Sequence, residues 1–461
     1  MQREPFGSLC SFTMPSLSTR SKSFLFLLVA LAAAEFVVRG PMRFYRASDF
    51  NDFISPYVQS RSLVKGLDPY SPEVLVQLWP PGDAEQLEFL KKDLAEGTLI
   101  TNRGIPTAYP LPCLFLLTPL AVLPWPVAHI VWLLITLGLT LGVVGALLVW
   151  SGFDKDDWRM YVFVAFAIAL APLHTGFAAG SIVIATVAIC GIAFVLEQRE
   201  KDVVAGILLG VAVCMKPQIG LPFLFCYLLR RRWRLIVTAS GMVVTAFLLA
   251  VIRLAISGAS WLENYRTDNR VLLTTGILSD FTERDPIRFS LINLQVLFYA
   301  MLHKAAAANV LALIVSALLF ATWLTFVARY GLLAQDGNAA KIILPISALA
   351  VMSLLPLYHR LYDAFLLIFP ICWSLHEFYG PQWKLVRTGL MMMLPFLVPG
   401  GTILEQLEQS GRVPEAIAQA WWWNAFAMPH QIWLLLTLSV ILLWWMACPN
   451  ANVSVNQRNL N

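Results

Sequence analysis

Three polar clusters interrupt an otherwise strongly apolar chain, and each carries groups able to do chemistry. The first is Arg46-Ala47-Ser48-Asp49-Phe50-Asn51-Asp52-Phe53. Asp49 and Asp52 are three residues apart and share one polar helical face. Either suits a general base, taking a proton from a hydroxyl as its oxygen bonds to a donor carbon. They equally suit interfacial charges paired with Arg43 or Arg46, and spacing does not choose between the two acids. The second cluster is Lys216-Pro217-Gln218, set between two apolar runs where the proline breaks the helix. An intramembrane lysine is costly, which makes Lys216 a candidate ligand for a lipid-linked phosphate, with Gln218 beside it. The plainer reading is a lysine snorkelling to the interface. The third is Tyr358-His359-Arg360-Leu361-Tyr362-Asp363, between two runs that leave almost no loop. His359 suits a phosphate donor or proton carrier, and Arg360 offers the fork that phosphate favours. Its plainer reading is a polar hairpin closed by an Arg360–Asp363 pair.

Other polar positions carry less. Pro172 to Ser181, with Gly176 and Gly180, is expected to form a turn between two spans where backbone approaches a ligand or simply reverses. Arg253 is expected to snorkel at a span end. His129, His303, His376 and His430 have no partner at ligand spacing. Asp49 and Asp52 do not form a DxD signature, so no metal or other cofactor is expected. No Walker sequence, GxGxxG or GxSxG is present, which disfavours a nucleotide-driven pump or a familiar hydrolase. The seven cysteines are scattered without a CxxC pair, so no disulfide framework or zinc site is expected.

The elements that position these groups are membrane spans. The 461 residues are 58% hydrophobic and only 13% charged, where a soluble domain carries roughly a quarter charged residues. With a mean hydropathy of +0.68, the chain is expected to be an all-α polytopic membrane protein of about 12 transmembrane helices (range about 10–13). Apolar runs lie near Ser23–Val38, Pro126–Trp150, Met160–Leu173, Ile182–Leu196, Val203–Cys214, Ile219–Leu229, Leu235–Ile256, Ala307–Val327, Ile342–Leu357, Leu361–Leu375, Leu385–Val398 and Ile432–Met446. Leu111–Leu123 and Leu291–Leu302 are short and suit re-entrant segments. Arg39 abuts the first run and no small-residue cleavage site follows, so a retained span is expected there.

The positive-inside rule orients the map. With residues 1–22 cytoplasmic and both short runs not crossing, Lys155, Arg159, Arg199, Lys201, the run Arg230 to Arg234, Arg329, Lys341, Lys384 and Arg387 all fall inside. Asp49, Asp52, Lys216, Gln218, His359 and Arg360 then share the outer face. The transmembrane domain is expected over 23–447, with outer loops at 39–110, 257–290 and 400–430 and a cytoplasmic tail at 448–461. In the first loop Phe50, Phe53, Ile54, Tyr57 and Val58 follow helical spacing, predicting a helix lying on the membrane surface. Glu85–Glu96 predicts a solvated helix. The net charge of +5 fits basic cytoplasmic loops better than a nucleic-acid partner.

The ordered set of motifs resembles the GT-C-fold glycosyltransferases of family 87, the polyprenyl-phosphate-mannose-dependent mannosyltransferase group. The resemblance rests on Asp49-Phe50 after the first span, Gly66-Leu67-Asp68-Pro69-Tyr70, and Tyr109-Pro110-Leu111-Pro112 running into Pro119 to Pro124. It continues through Gly180-Ser181, Lys216-Pro217-Gln218 followed by Arg230 to Arg234, and Tyr358 to Asp363 leading to Pro370. It covers roughly residues 40–380. The chain departs from the family pattern at Ser181, where members often carry Gln, and at Arg360, where they often carry a second histidine. The resemblance implies a GT-C-like fold, Asp49 as the catalytic aspartate, a polyprenyl-phosphate sugar donor, mannose by analogy, and transfer to a lipid or glycan acceptor at the outer face of an inner membrane. Asp52, Lys216, Gln218, His359 and Arg360 are then the substrate-binding candidates. A transporter or flippase whose buried charges line its path is the alternative.

Overall fold

The computed structural model describes residues 17–46, 51–80, 84–99, 108–274, 279–285, 287–334, 339–380 and 382–448. Asp49 and Cys10 lie outside these residues. Among the described residues the chain is helical, and strand-like pairing is confined to one antiparallel bridge between Leu291 and Arg360.

Four helices are long and apolar enough to cross a membrane: Thr19–Arg46, Trp125–Ser151, Trp233–Ser257 and Ala305–Tyr330. Two bent pairs raise the number to six if each is one span: Trp158–Ala169 with Ala171–Ala179, and Trp383–Leu397 with Gly400–Gln409. The long helices carry much of their apolar surface outward, as Phe24, Phe26, Leu134, Val237 and Leu313 show. Side chains so placed need a lipid surround. The shorter apolar helices form the interior. Ile182–Gln198 is buried along nearly its whole length and packs against Trp125–Ser151 and Asp202–Met215. The runs identified in the sequence are largely helical, with Ile342–Leu357 helical only to Met352. Among the described residues four to six helices pass as spans by length and composition, which does not establish the expected count of about twelve.

Prolines and glycines set many of the boundaries. Pro112, Pro126, Pro172 and Pro217 sit in the first turns of their helices, where no backbone donor is missed. Leu111–Ala121 and Leu294–Leu302 are 11 and 9 residues long. At about 1.5 Å per residue neither spans a hydrocarbon core of about 30 Å. The second of them turns back at His303 onto Ala305–Tyr330.

Two expectations need correcting. The helix of the first loop runs Ile54–Lys65 and is not a surface helix: Gln59, Ser60 and Ser62 are as buried as Phe53, Tyr57 and Val58. It packs against Leu111–Ala121, so its polar face is also covered. Residues 174–179 belong to a helix, not a turn. Pro172 starts Ala171–Ala179 at 41° to the preceding helix, and left-handed Gly180 ends it. The expected helix at 85–96 is present as Ala84–Ala95.

Candidate active site

Lys216 occupies a single-residue break between Asp202–Met215 and Pro217–Leu229. Pro217 has no amide hydrogen to continue the first helix, and Lys216 is extended (φ −145°, ψ 91°). The two helices then fold together closely. A Cβ on Gly220 would stand 2.7 Å from the Val213 nitrogen, so only glycine fits there. This break presents the lysine sideways into the bundle interior, where it is 8% exposed.

Behind Lys216 lies Asp363, fully buried. Its Oδ1 accepts from Lys216 Nζ at 2.5 Å, and its Oδ2 accepts from the Arg360 backbone N–H at 2.9 Å and lies 2.9 Å from His359 Nδ1. An ionised carboxylate this deep is tolerable only when paired and hydrogen-bonded in this way. The segment that delivers it is pinned by residues 291–295. Ile292 N–H donates to the His359 carbonyl (2.9 Å), Leu294 N–H to that of Leu355 (2.9 Å), and the Gln295 side chain to that of Pro356 (2.8 Å). Arg360 donates from Nε to the Tyr358 hydroxyl at 2.8 Å. The expected Arg360–Asp363 contact therefore runs through the Arg360 backbone, and the acid's ionic partner is Lys216.

The acidic loop is held from the other side. Asn51 Oδ1 accepts from the Phe53 amide (2.9 Å), and Asn51 Nδ2 lies 3.3 Å from His129 Nε2. Phe53 stacks on Trp132 with ring centroids 4.6 Å apart. The Asp52 amide donates to the Ala179 carbonyl at 2.7 Å. Gly180, at φ 69°, makes room for this approach: a Cβ there would stand 2.5 Å from Phe44 Cε2 and 3.1 Å from Asn51 Oδ1. The Asp52 residue is exposed, yet its carboxyl sits among enough protein for desolvation to be the leading influence, raising its pKa above the ordinary aspartate value. The charge of Arg360, a hydrogen bond from Tyr362 and the charge of Lys216 pull in the opposite direction.

Beside these groups lies a cavity of about 360 Å³ walled by Tyr109, Ser181, Lys216, Gln218, Tyr358 and Tyr362. Asn269 and Ser279 close it from the 257–290 segment. Tyr70 ties the first loop to the wall by donating to the Tyr109 carbonyl at 2.6 Å. The structure thus places Lys216 and Gln218 on the wall. Asp52 and Arg360 are not wall residues but contact it, Asp52 through a hydrogen bond from Tyr362 and Arg360 through the Tyr358 hydroxyl. His359 is fully buried beside Asp363 and is absent from the cavity wall. Arg253 does not snorkel: its guanidinium donates to the Val64 carbonyl at 2.8 Å, at the end of Ile54–Lys65. Sequence reasoning missed Asp363 as the hub and Tyr109, Tyr358 and Tyr362 as the wall. The i, i+4 spacing of His359 and Asp363 was the available signal for the hub.

A second ionic cluster lies at the far end of Pro217–Leu229, a 13-residue helix of about 20 Å. There buried Glu197 accepts from Arg230 (3.0 Å) and Arg232 (2.6 Å). It ties neighbouring helix ends together, away from the cavity.

The model of glycosyltransferase family 87 matches residues 107–356. The matched segment contains Tyr109, Lys216 and Gln218 and ends just before Tyr358. No curated protein and no solved structure matches the chain.

Proposed function

The chain belongs to glycosyltransferase family 87, and from that premise and the cavity we propose that it moves a sugar, mannose by the family resemblance, from a polyprenyl-phosphate donor to a hydroxyl of a lipid or glycan acceptor at the outer face of the membrane. The acceptor oxygen attacks the anomeric carbon in line, and the carbon–oxygen bond to phosphate breaks with inversion. The hydroxyl proton passes to a carboxylate of the acidic loop. The bonding electron pair leaves with the polyprenyl phosphate.

What supports this reading is Lys216 on the cavity wall, with Asp52 and Arg360 just behind it: Tyr362 of the wall hydrogen-bonds Asp52, Arg360 donates to Tyr358 of the wall, and the charges of Arg360 and Lys216 both act on Asp52. Lys216 gives one N–H to Asp363 and has two more to offer. Arg360 adds a planar donor fork. Both suit a leaving phosphate, where negative charge accumulates as the bond breaks. Asp49 takes the role of base by the resemblance, and Asp52 orients the acceptor beside it. The outer-face assignment rests on the arginine-rich residues 230–234 lying at the opposite end of a helix from Lys216.

The test is turnover of a labelled polyprenyl-phosphate mannose by purified protein in nanodiscs with a panel of acceptor lipids. Wild type should form a glycosylated lipid, and Asp49→Asn should abolish product with folding intact. Lys216→Met should slow turnover by about 100-fold or more, the scale of losing one transition-state donor. Full activity in Asp49→Asn together with a dead Asp52→Asn would move the base to Asp52. Full activity in both would end the proposal.

A further inference from the structure

A second cavity, of about 520 Å³, opens on the other flank of the acidic loop. Tyr57, Arg61 and Lys65 line it from one stripe of Ile54–Lys65, at i, i+4 and i+8. Gln77 and Trp79 face it from the end of Pro72–Leu78, and Trp125 from the start of Trp125–Ser151. Its size lies in the range of about 300–1,000 Å³ usual for small-molecule sites.

The chemistry of this wall is one-sided. Among the described residues it carries two cations and no acid. Arg61 Nη1 donates to the Tyr57 hydroxyl (2.7 Å) and lies 3.5 Å from the Leu123 carbonyl, both neutral groups. The Tyr57 hydroxyl itself donates to the Leu123 carbonyl at 2.8 Å. Among the described residues, neither Arg61 nor Lys65 has a carboxylate partner. The guanidinium is thus fixed in orientation by neutral groups, with no carboxylate among the described residues paired to it, the arrangement that accepts phosphate or carboxylate in bidentate fashion. Trp79 and Trp125 border the cavity with the part of their rings left accessible, which suits the C–H face of a pyranose ring, while Tyr57 is buried behind Arg61. The Gln77 amide adds a donor and an acceptor for hydroxyls.

The cavity is joined to the acidic loop by Phe53, the residue after Asp52. The Phe53 ring centroid lies 6.0 Å from that of Trp125 and 6.4 Å from that of Tyr57. Tyr57 follows Asp52 by five residues, in the first turn of the helix that starts at Ile54.

We propose that this cavity binds an anionic carbohydrate, the charged sugar headgroup of the acceptor, held by Arg61 and Lys65 and stacked on Trp125. Calling the ligand the acceptor rests on the transferase reading above; the site itself does not. A headgroup anchored here reaches past Phe53 toward the acidic loop with its charge kept away from the donor phosphate. Separating the two anions avoids the repulsion that a shared cavity would impose.

The probe is glucose 6-phosphate, titrated calorimetrically into the full chain in phosphatidylcholine nanodiscs, with glucose and inorganic phosphate as half-probes. The sugar phosphate should bind at least tenfold more tightly than either half, and more weakly as salt rises. Lys65→Gln, at an exposed position, should weaken it several-fold, Arg61→Gln by tenfold or more, and Trp125→Leu should bring it down to the level of phosphate. Gln218→Ala, in the other cavity, should leave this binding unchanged. Equal affinity for neutral glucose, or indifference to both Arg61→Gln and Lys65→Gln, overturns the proposal. So does binding lost in Gln218→Ala alone, which assigns the probe to the donor cavity. Competition by phosphatidylglycerol added to the nanodiscs, dependent on Arg61, makes this a phospholipid site and overturns the carbohydrate assignment. Because the readout is binding, these results stand whether or not polyprenyl-phosphate mannose is turned over. In a transfer assay the sugar phosphate should compete with the acceptor and not with the donor, and the reverse pattern refutes the acceptor role.

Discussion

Asp363→Asn isolates what the buried acid does. Asp363 accepts from the Lys216 ammonium and the Arg360 amide and contacts His359, and it is fully buried, while Lys216 is 8% exposed. The amide keeps one acceptor oxygen, but its nitrogen can only donate, so one of the facing donors is left against another donor. The larger loss is ionic, because the Lys216 ammonium stays in a dry setting without its counter-charge. Removing one member of such a pair costs about 3–5 kcal/mol. Removing both charges, as Lys216→Met with Asp363→Asn, takes away the unpaired ammonium while the amide oxygen still accepts from the Arg360 N–H, and should restore most of that stability. The expected pattern in denaturant unfolding is therefore a severely weakened Asp363→Asn protein and a double variant near wild type. Activity should not follow stability: the double variant folds but lacks the cavity ammonium, so its turnover stays low. If Asp363→Asn is as stable as wild type, or if the double variant is no better than the single, Asp363 is not the counter-ion that holds Lys216. If the double variant regains turnover, the lysine has no part in the reaction.

Two further outcomes follow from the backbone and from burial. Gly180→Ala places a methyl group 2.5 Å from Phe44 Cε2 at φ 69°; left-handed strain alone costs about 1–2 kcal/mol, and a displaced acidic loop should lower turnover more than it lowers the melting temperature. Asp268 is 2% exposed, Oδ2 has no hydrogen-bond partner among the described residues, and burial, with Asp68 nearby, pushes its carboxyl up to about 8. Its folded pKa lies above the unfolded value of about 3.8, so the folded state holds a proton that the unfolded state releases, and stability falls as pH rises from about 4 to about 8. Asp268→Asn should flatten that slope and raise stability at neutral pH by a few kcal/mol at most; a thermal-shift series from pH 4 to 8 that is equally steep in both proteins refutes the assignment.

Much of this architecture is legible in the sequence because apolar runs and prolines act locally. Pro217 announces the break at Lys216, and Pro172 marks the start of a new helix, although the glycines after it suggested a turn. The helical spacing of Phe53, Tyr57 and Val58 also held, with the helix beginning at Ile54. What periodicity could not supply was the second covered face of that helix. Gln59 and Ser60 are buried as well, in a helix that packs against Leu111–Ala121. The cavity's internal pairing was hidden for the same reason. Lys216 and Asp363 are 147 residues apart, and nothing local distinguishes an acid that holds the lysine from one that holds Arg360. Length was the weakest guide: an apolar run of 11 to 17 residues fits a tilted or broken span and an interior helix alike.

The buried acid also explains how a lysine comes to stand ready in so apolar a bundle. An ammonium facing the cavity alone would bear the full cost of desolvation, and it would tend to withdraw toward water. Asp363 removes that tendency from behind, and the Lys216 break fixes the direction of the remaining N–H groups. The cost is met when the chain folds, through helices packed as closely as Gly220 and Val213, and not when charge moves in the reaction. A group held in this way has little left to reorganise as a leaving phosphate gains charge, which is the condition under which an oriented donor contributes most to a rate. The conservative change Lys216→Arg should therefore fail despite keeping the charge, because the longer planar fork cannot occupy a single-residue break and still meet Asp363.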